Sequence, residues 1–159
     1  HSAIATESRG WELSFSNGQP TVVRSMVETP DGGYLLTGAS KSPDAQWYDG
    51  WLARLDINGG LLWEKQFGGV YDDWFRSVVL LPDGGCLLAG GSDPDDNPNR
   101  SDAWLVRLDK EGELLWQRRF GGDSEDAANA VVPVKDGGYL LVGRTATDSG
   151  GPSMAGSFG

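Results

Sequence analysis

The chain is poor in the residues that catalytic and metal sites most often use. Its 159 residues include one histidine, His1, and one cysteine, Cys86. A single histidine excludes a Ser-His-Asp or Cys-His arrangement and a multi-histidine zinc site within one chain. A single cysteine excludes a disulfide within the chain, so cysteine content does not indicate the redox compartment. Catalysis that depends on these groups is therefore not expected.

Positive charge and long apolar runs are also scarce. The chain has 13 lysine and arginine residues against 23 aspartate and glutamate residues, a formal net charge of −10. Phosphate backbones and anionic membranes are bound through basic patches, so neither nucleic acid nor such a membrane is an expected partner. Apolar runs stay far below the ~20 residues of a membrane span. No signal peptide is visible, although a mature secreted protein would have lost one.

Glycine, in contrast, is abundant, and part of it recurs at a fixed interval. An Asp-Gly-Gly turn begins at Asp31, at Asp83 52 residues later, and at Asp136 53 residues after that. The three motifs are Asp31-Gly-Gly-Tyr34-Leu35, Asp83-Gly-Gly-Cys86-Leu87 and Asp136-Gly-Gly-Tyr139-Leu140. Periods of about 40 to 50 residues built from short strands and turns are typical of β-propeller blades. The period predicts an all-β fold of the β-propeller type.

Two further motifs complete a repeat of four strands, which we label a to d. Asp49-Gly-Trp51-Leu52-Ala-Arg54-Leu55-Asp56 returns as Asp102-Ala-Trp104-Leu105-Val-Arg107-Leu108-Asp109, and Leu61-Leu62-Trp63-Glu-Lys-Gln-Phe67-Gly68-Gly69 returns as Leu114-Leu115-Trp116-Gln-Arg-Arg-Phe120-Gly121-Gly122. The period-two alternation, bounded by Gly, Asn and Asp, predicts strands. Strand a is predicted at 22–27, 77–81 and 130–134, before each Asp-Gly-Gly turn. No segment shows helical periodicity.

These motifs resemble the β-propeller repeats of bacterial secreted and cell-surface proteins. Blades of that family read approximately Asp-Gly-Gly-Tyr, then Asp-x-Trp-Leu-x-Lys-Leu-Asp, then Trp and Phe-Gly-Gly. The resemblance covers nearly all of residues 11–145. It implies a β-propeller fold and an extracellular or cell-surface location, with a periplasmic one as the variant, and it implies no particular activity.

The repeat divides the chain into about three blade equivalents. The predicted division is a partial blade of strands c and d (1–17), a blade (18–69), a blade (70–122), a partial blade of strands a and b (123–145) and a Gly/Ser-rich tail (146–159). Propellers close with about four to eight blades. We therefore expect a two-fold homodimer with six blades, in which each partial blade is completed by the other chain. The alternative is a piece of a longer propeller.

The predicted site lies on the rim formed by the d–a and b–c loops. These loops vary between repeats, and variable loops on a rigid scaffold are where binding sites usually lie. Trp47, Tyr71 and Trp74 have no aromatic counterparts in the other repeats, so the architecture does not require them. Aromatic rings beside carboxylates and amides suit the stacking of a sugar. For Trp74, the alternative is a wedge between two blades.

Polar residues at the start of strand a complete the predicted ligand site. Arg24, Arg76 and Asn129 occupy equivalent positions on what would be the innermost strand, facing the central channel, and Asp73 lies nearby. Two arginines suit a carboxylate or a sugar acid, which they bind bidentately. In the alternative, each arginine pairs with an acid such as Asp73 or Asp126 and holds adjacent blades together.

One loop has the oxygen-rich character that calcium prefers. Asp93, Asp95 and Asp96 are its candidate ligands, although the loop lacks the fixed glycine and final glutamate of an EF-hand. A solvated acidic loop is the alternative, and no other cofactor is expected. Cys86 takes the position of Tyr34 and Tyr139 in the other repeats and is expected to be a packing residue.

Together these patterns predict a noncatalytic β-propeller module that binds a glycan or a protein ligand. One alternative is a structural or assembly unit of a larger propeller without a ligand. A second is a propeller-type glycosidase or lyase that uses carboxylates at the channel mouth, Asp73 among them.

Overall fold

The computed structural model describes residues 2–6, 10–14, 19–94, 100–135, 137–146 and 155–158. These residues form thirteen strands and no helix, so no helix there is able to cross a membrane. The strands are β1 (Ser2–Thr6), β2 (Gly10–Ser14), β3 (Thr21–Glu28), β4 (Tyr34–Ser40), β5 (Asp49–Leu55), β6 (Leu61–Phe67), β7 (Asp73–Leu80), β8 (Cys86–Ser92), β9 (Asp102–Leu108), β10 (Leu114–Phe120), β11 (Asp126–Pro133), β12 (Tyr139–Thr145) and β13 (Ala155–Phe158). The predicted all-β class is confirmed.

The strands form four antiparallel sheets in chain order. The first four-stranded sheet has the order β3-β4-β5-β6 and the second β7-β8-β9-β10. The third sheet has the order β11-β12-β13, and β1 pairs with β2 in a separate two-stranded sheet. Strand β13 pairs with β12 from Tyr139 to Val142, so part of the Gly/Ser-rich tail is a strand.

The repeated Asp-Gly-Gly motif forms the turn between the first two strands of each larger sheet. Its first glycine has a positive φ in every repeat, 81° at Gly32, 85° at Gly84 and 88° at Gly137. Residues with a Cβ are strained in that region, whereas glycine is not. In the first turn the N–H of Gly32 donates to the carbonyl of Thr29 at 2.8 Å. The periodic glycine is therefore a requirement of the turn.

The sheets stack on one another with one repeated geometry. The first strand of the second sheet, β7, packs against β3, β4 and β5, and the first strand of the third sheet, β11, packs against β7, β8 and β9. Strands β8 and β9 are buried along their whole length because they are covered on both faces. One cluster between the first and second sheets contains Leu35, Leu52, Phe75, Val78, Cys86, Leu88, Trp104, Val106 and Leu108. A second, against the third sheet, contains Leu81, Leu87, Ala89, Ala103, Leu105, Ala128, Val131 and Leu141.

The periodic tryptophans lie in or against this core. Trp51 and Trp104 are each 2% exposed. Their indole N–H groups donate to Glu64 Oε2 at 3.0 Å and to Gln117 Oε1 at 2.9 Å, so each polar atom has a partner on the neighbouring strand. Cys86 is buried in the first cluster, and burial raises the pKa of its thiol to about 12.

The first strands of the second and third sheets begin earlier than predicted. The prediction placed them at 77–81 and 130–134, but β7 begins at Asp73 and β11 at Asp126. Both aspartates are buried and donate their N–H to the preceding sheet, Asp73 to the carbonyl of Tyr48 at 2.7 Å and Asp126 to that of Ser101 at 2.6 Å. The prediction was wrong because it followed apolar residues only.

Candidate functional site

A β-bulge interrupts the first strand of all three larger sheets at the same repeat position. The pairing shifts between Val23 and Ser25, between Phe75 and Ser77 and between Ala128 and Ala130. The bulged residues are Arg24, Arg76 and Asn129. A bulge redirects its side chain and often lies beside a functional site. The three residues singled out in the sequence thus share one backbone geometry.

A glycine faces each bulge. A Cβ built on Gly38 would overlap the carbonyl oxygen of Val22, and the same overlap arises between Gly90 and Trp74 and between Gly143 and Ala127. The bulged backbone therefore needs a glycine opposite it. These three glycines were not predicted to have a structural role, although they recur with the same spacing as the Asp-Gly-Gly turns.

A cavity of about 360 Å³ opens between the first and second sheets. Its lining consists of Val22, Arg24, Ala39, Tyr48, Asp72, Asp73, Trp74 and Arg76. We call it the first cavity. It brings together four of the predicted ligand-binding residues, Arg24, Asp73, Trp74 and Arg76, although they come from two sheets.

Trp74 is half-buried and lies over a glycine of its own sheet. It pairs with Gly91 across β7 and β8, and a Cβ on Gly91 would lie 2.6 Å from ring atom Cε2. The guanidinium carbon of Arg76 is 6.0 Å from the ring centroid. The indole Nε1 is buried and has no hydrogen-bond partner within the described part of the chain. Trp74 therefore packs against its own sheet while it lines the first cavity.

Trp47 and Tyr71 form an aromatic pair beside these residues. Their ring centroids are 5.9 Å apart with an interplanar angle of 69°, an edge-to-face contact. Each precedes a residue that lines the first cavity, Tyr48 and Asp72. The N–H of Tyr48 donates to Asp72 Oδ1 at 2.8 Å, so the two loops are joined at the mouth of the cavity.

The two adjacent aspartates of the cavity differ in exposure. Asp73 is 0% exposed, and its Oδ2 accepts the N–H of Gly69 at 2.7 Å. Burial raises the pKa of Asp73, the charge of Asp49 raises it further, and hydrogen bonds from Ser92 and Gly69 oppose the rise. Asp72 is only partly buried. Of the two, the carboxylate within reach of a ligand is therefore that of Asp72.

Within the part of the chain that the structure describes, the two bulge arginines, Arg24 and Arg76, do not pair with acids. Arg76 Nη1 donates to Asn129 Oδ1 at 2.5 Å, which links the second and third sheets. Among the described residues, neither Arg24 nor Arg76 forms an ion pair with a carboxylate. Burial lowers the pKa of Arg76, and the charges of Arg144 and Arg24 lower it further. Arg76 thus joins the two sheets through the side-chain amide of Asn129. It does not do so through an ion pair with Asp73 or Asp126, which was the alternative expected from the sequence.

A second cavity of about 420 Å³ lies at the corresponding place between the second and third sheets. Its lining consists of Asp72, Trp74, Asp93, Arg100, Ser101, Glu125 and Arg144. Burial raises the pKa of Asp93 to about 6, and the charges of Asp72, Asp73 and Glu125 contribute. Trp74 and Asp72 therefore line both cavities.

Of the candidate calcium ligands, Asp93 lines the second cavity, whereas Asp95 and Asp96 lie outside the described residues. Within the described ranges, no group of three or more His, Cys, Asp and Glu side chains is arranged to hold a metal ion. Calcium binding by this loop therefore stays a prediction.

Comparison with known proteins finds a distant curated relative. No protein-family profile matches the chain. The chain is 26% identical over 154 residues to the regulatory protein FlaEY of Caulobacter vibrioides. The matched region covers 82% of this chain and 16% of FlaEY. The chain thus spans about a sixth of the length of the relative that it resembles.

Proposed function

We propose that the three larger sheets are blades of a β-propeller and that two chains close a six-bladed ring. The support is the period of 52 and 53 residues and the identical way in which β7 and β11 pack on the sheet before them. A ring continues this packing until no sheet face is left uncovered. The resemblance to secreted repeat proteins favours an extracellular or cell-surface location.

The function that the site supports best is noncatalytic binding of a glycan on the loop side of the sheets. The observation that carries this proposal is the first cavity, whose lining combines the indole of Trp74, two guanidinium groups and the carboxylates of Asp72 and Asp73. Its volume of about 360 Å³ falls within the range of small-molecule sites, roughly 300 to 1,000 Å³. The chemistry therefore matches a sugar, which has an apolar face and a rim of hydroxyl groups.

Each lining group has a separate role in this proposal. Trp74 stacks on the sugar face, with the pair Trp47 and Tyr71 extending the aromatic surface. Arg24 and Arg76 donate hydrogen bonds to oxygen atoms of the sugar, and Asp72 accepts hydrogen bonds from its hydroxyl groups. Asn129 orients the guanidinium of Arg76 through their 2.5 Å hydrogen bond.

The test is a glycan array followed by calorimetry with Trp74→Ala. We expect this variant to bind the selected glycan at least roughly fivefold more weakly, because a stacked aromatic ring contributes about 1 kcal/mol beyond its buried area. Leu115→Ala is the control, since Leu115 is 55% exposed on the outermost strand of the second sheet. An empty array, or unchanged binding by Trp74→Ala, would contradict the proposal. Recovery of a protein partner in a pull-down would instead favour the protein-ligand alternative.

The second cavity gives specific support to an enzymatic alternative. Asp93 has a pKa raised to about 6 and lies beside Asp72 and Glu125. Carboxyl groups whose environments separate their pKa values are what glycosidases use as acid and base. Hydrolysis of a bound glycan by the wild type, lost in Asp93→Asn with binding retained, would establish this function.

A further inference from the structure

The bulges bring positive charge together in a chain that is strongly negative overall. Arg24 and Arg76 line the same cavity from adjacent sheets, and Arg144 of β12 is close enough to affect the charge of Arg76. The formal net charge of the whole chain is −10. Electrostatics favours dispersing like charges or pairing them with acids, so this convergence requires an explanation.

Three other strand arginines, Arg54, Arg107 and Arg144, have carboxylate partners, whereas the exposed Arg118 and Arg119 of β10 have none among the described residues. Arg54 Nη2 lies 2.6 Å from Asp31 Oδ1, and Arg107 makes the equivalent ion pair with Asp83. Arg144 Nη2 lies 3.2 Å from Glu125 Oε2. Arg24 and Arg76 have no such partner within the described residues, although the same repeats supply one for the arginine of strand β5 and of strand β9.

The carboxylates of the first cavity form no ion pair with Arg24 or Arg76 among the described residues. Asp73 is completely buried and accepts the N–H of Gly69. Asp72 Oδ1 accepts the N–H of Tyr48 at 2.8 Å. Within the described residues, the cavity therefore presents two guanidinium groups that no carboxylate contacts directly.

Arg76 is partly buried and has no carboxylate partner among the described residues, which is unfavourable for its charge, and an anion placed between it and the exposed Arg24 would offset that penalty. Guanidinium groups are planar forks that match a carboxylate with two parallel hydrogen bonds. The indole ring of Trp74 lies next to them, with the Arg76 guanidinium carbon 6.0 Å from its ring centroid. The anion that fits this neighbourhood is thus one carried on a sugar ring.

We infer that the first cavity binds an acidic sugar, a uronic acid residue of a glycan, with Arg24 and Arg76 holding its carboxylate. This inference rests on the proposed function and adds the ligand class. The bulges direct both guanidinium groups into the cavity, and the sugar ring stacks on Trp74. A sulfated sugar presents a related anion, and the experiment separates the two.

The experiment is calorimetry with the whole chain and paired oligosaccharides at low, fixed ionic strength. The probes are glucuronic acid and galacturonic acid oligomers, their carboxyl-reduced counterparts, and a sulfated oligomer of a sugar that has no carboxyl group. We expect at least one acidic oligomer to bind tenfold or more tightly than its reduced counterpart and than the sulfated oligomer. Added salt should narrow the difference, because ion pairing at a partly exposed site is screened.

Three variants locate the effect. Arg24→Gln and Arg76→Gln should each reduce the preference for the acid at least fivefold. Arg118→Gln makes the same change of net charge on β10, where Arg118 lies over the ring of Trp116 with its guanidinium carbon 5.4 Å from the centroid. It should leave the preference unchanged. Thermal unfolding curves confirm that each variant is folded, and Arg24 is exposed enough for its replacement to be tolerated.

The outcomes distinguish this inference from the function on which it rests. If reduced and acidic oligomers bind equally and Trp74→Ala weakens both, the module binds glycans but the inference is wrong. Tighter binding of the sulfated oligomer, or loss of the preference in Arg118→Gln as well, also overturns it. If no oligomer binds and the glycan array is empty, both proposals fail.

Discussion

At the scale of single residues, the glycine facing each bulge has the most demanding environment. Gly38→Ala should reduce the free energy of unfolding by about 1–3 kcal/mol, because its Cβ would overlap the carbonyl oxygen of Val22 and push two paired strands apart. Urea denaturation followed by tryptophan fluorescence measures the change.

Gly122→Ala is the matched control for that measurement. A Cβ on Gly122 would have no atom within 4 Å, and the residue is exposed. This variant should change the free energy of unfolding by less than about 0.5 kcal/mol. Equal effects of the two substitutions would show that the bulges do not depend on glycine.

A second prediction concerns the aspartate of the Asp-Gly-Gly turn. Hydrogen bonds from Thr29 and Arg54 lower the pKa of Asp31 from 3.8 to about 2. Because the folded pKa lies below the unfolded value, this stabilisation is fully present above pH 3.8 and is lost as the pH falls through about 2. Wild type should therefore exceed Asp31→Asn in stability at pH 6, and the difference should disappear near pH 2.

Denaturation midpoints measured between pH 2 and pH 7 test this prediction. Asp44→Asn, at an exposed loop position, serves as the control and should follow the wild type throughout. A constant gap between wild type and Asp31→Asn at all pH values would mean that the turn needs the shape of the side chain and not its charge.

At the scale of the element, β7 joins two sheets through one aromatic residue. Phe75 is 0% exposed, stacks on Trp104 with ring centroids 4.8 Å apart and meets Phe67 of the preceding sheet at 6.1 Å. Phe75→Ala should cost about 3–5 kcal/mol, because neighbouring strands cannot collapse into the space. Chemical denaturation measures the loss, and Leu62→Ala, at an exposed position on β6, should cost far less. A loss below 1 kcal/mol would contradict this account of the interface.

The sequence predicted the elements better than their ends. Turns at Gly32 and Gly84 were predicted correctly, because only glycine suits their backbone and the period repeats them. The beginnings of β7 and β11 were predicted wrongly, because Asp73 and Asp126 are polar residues typical of loops. Their place in a strand becomes clear only from the carbonyl groups that accept their N–H groups. The burial of such a polar residue can be predicted only when its hydrogen-bond partner is known, and here each partner belongs to the preceding repeat.

The candidate site was predictable in composition but not in arrangement. Trp74 was identified because the other repeats have no aromatic residue at its position. The two bulge arginines were identified because they occupy equivalent positions in successive repeats. That Asp72 and not Asp73 is partly exposed could not be predicted, because the burial of each carboxylate depends on which residues of other strands pack around it, and the sequence does not give these neighbours. It could likewise not be predicted that Gly91, the second glycine of the Gly90-Gly91 pair, leaves the space that the Trp74 indole occupies.

At the scale of the whole molecule, the proposed ring requires a second copy of the chain. In that dimer, β1 of the partner would pair with β12, the place that β13 takes in the single chain. Light scattering on a size-exclusion column should give a mass twice the 17.0 kDa of the chain. A uniform species of 17.0 kDa at all concentrations would contradict the dimer and leave the packing of the sheets unaffected.

The bulges also affect how such a protein can diversify. Their geometry is enforced by the backbone and by Gly38, Gly90 and Gly143, so the bulged side chain itself is free to vary, as Arg24, Arg76 and Asn129 already do. Each repeat thus has one position, the bulged residue of its first strand, at which the side chain can be exchanged. A lineage could alter the ligand through single substitutions there, without disturbing the hydrogen bonds that hold the strands.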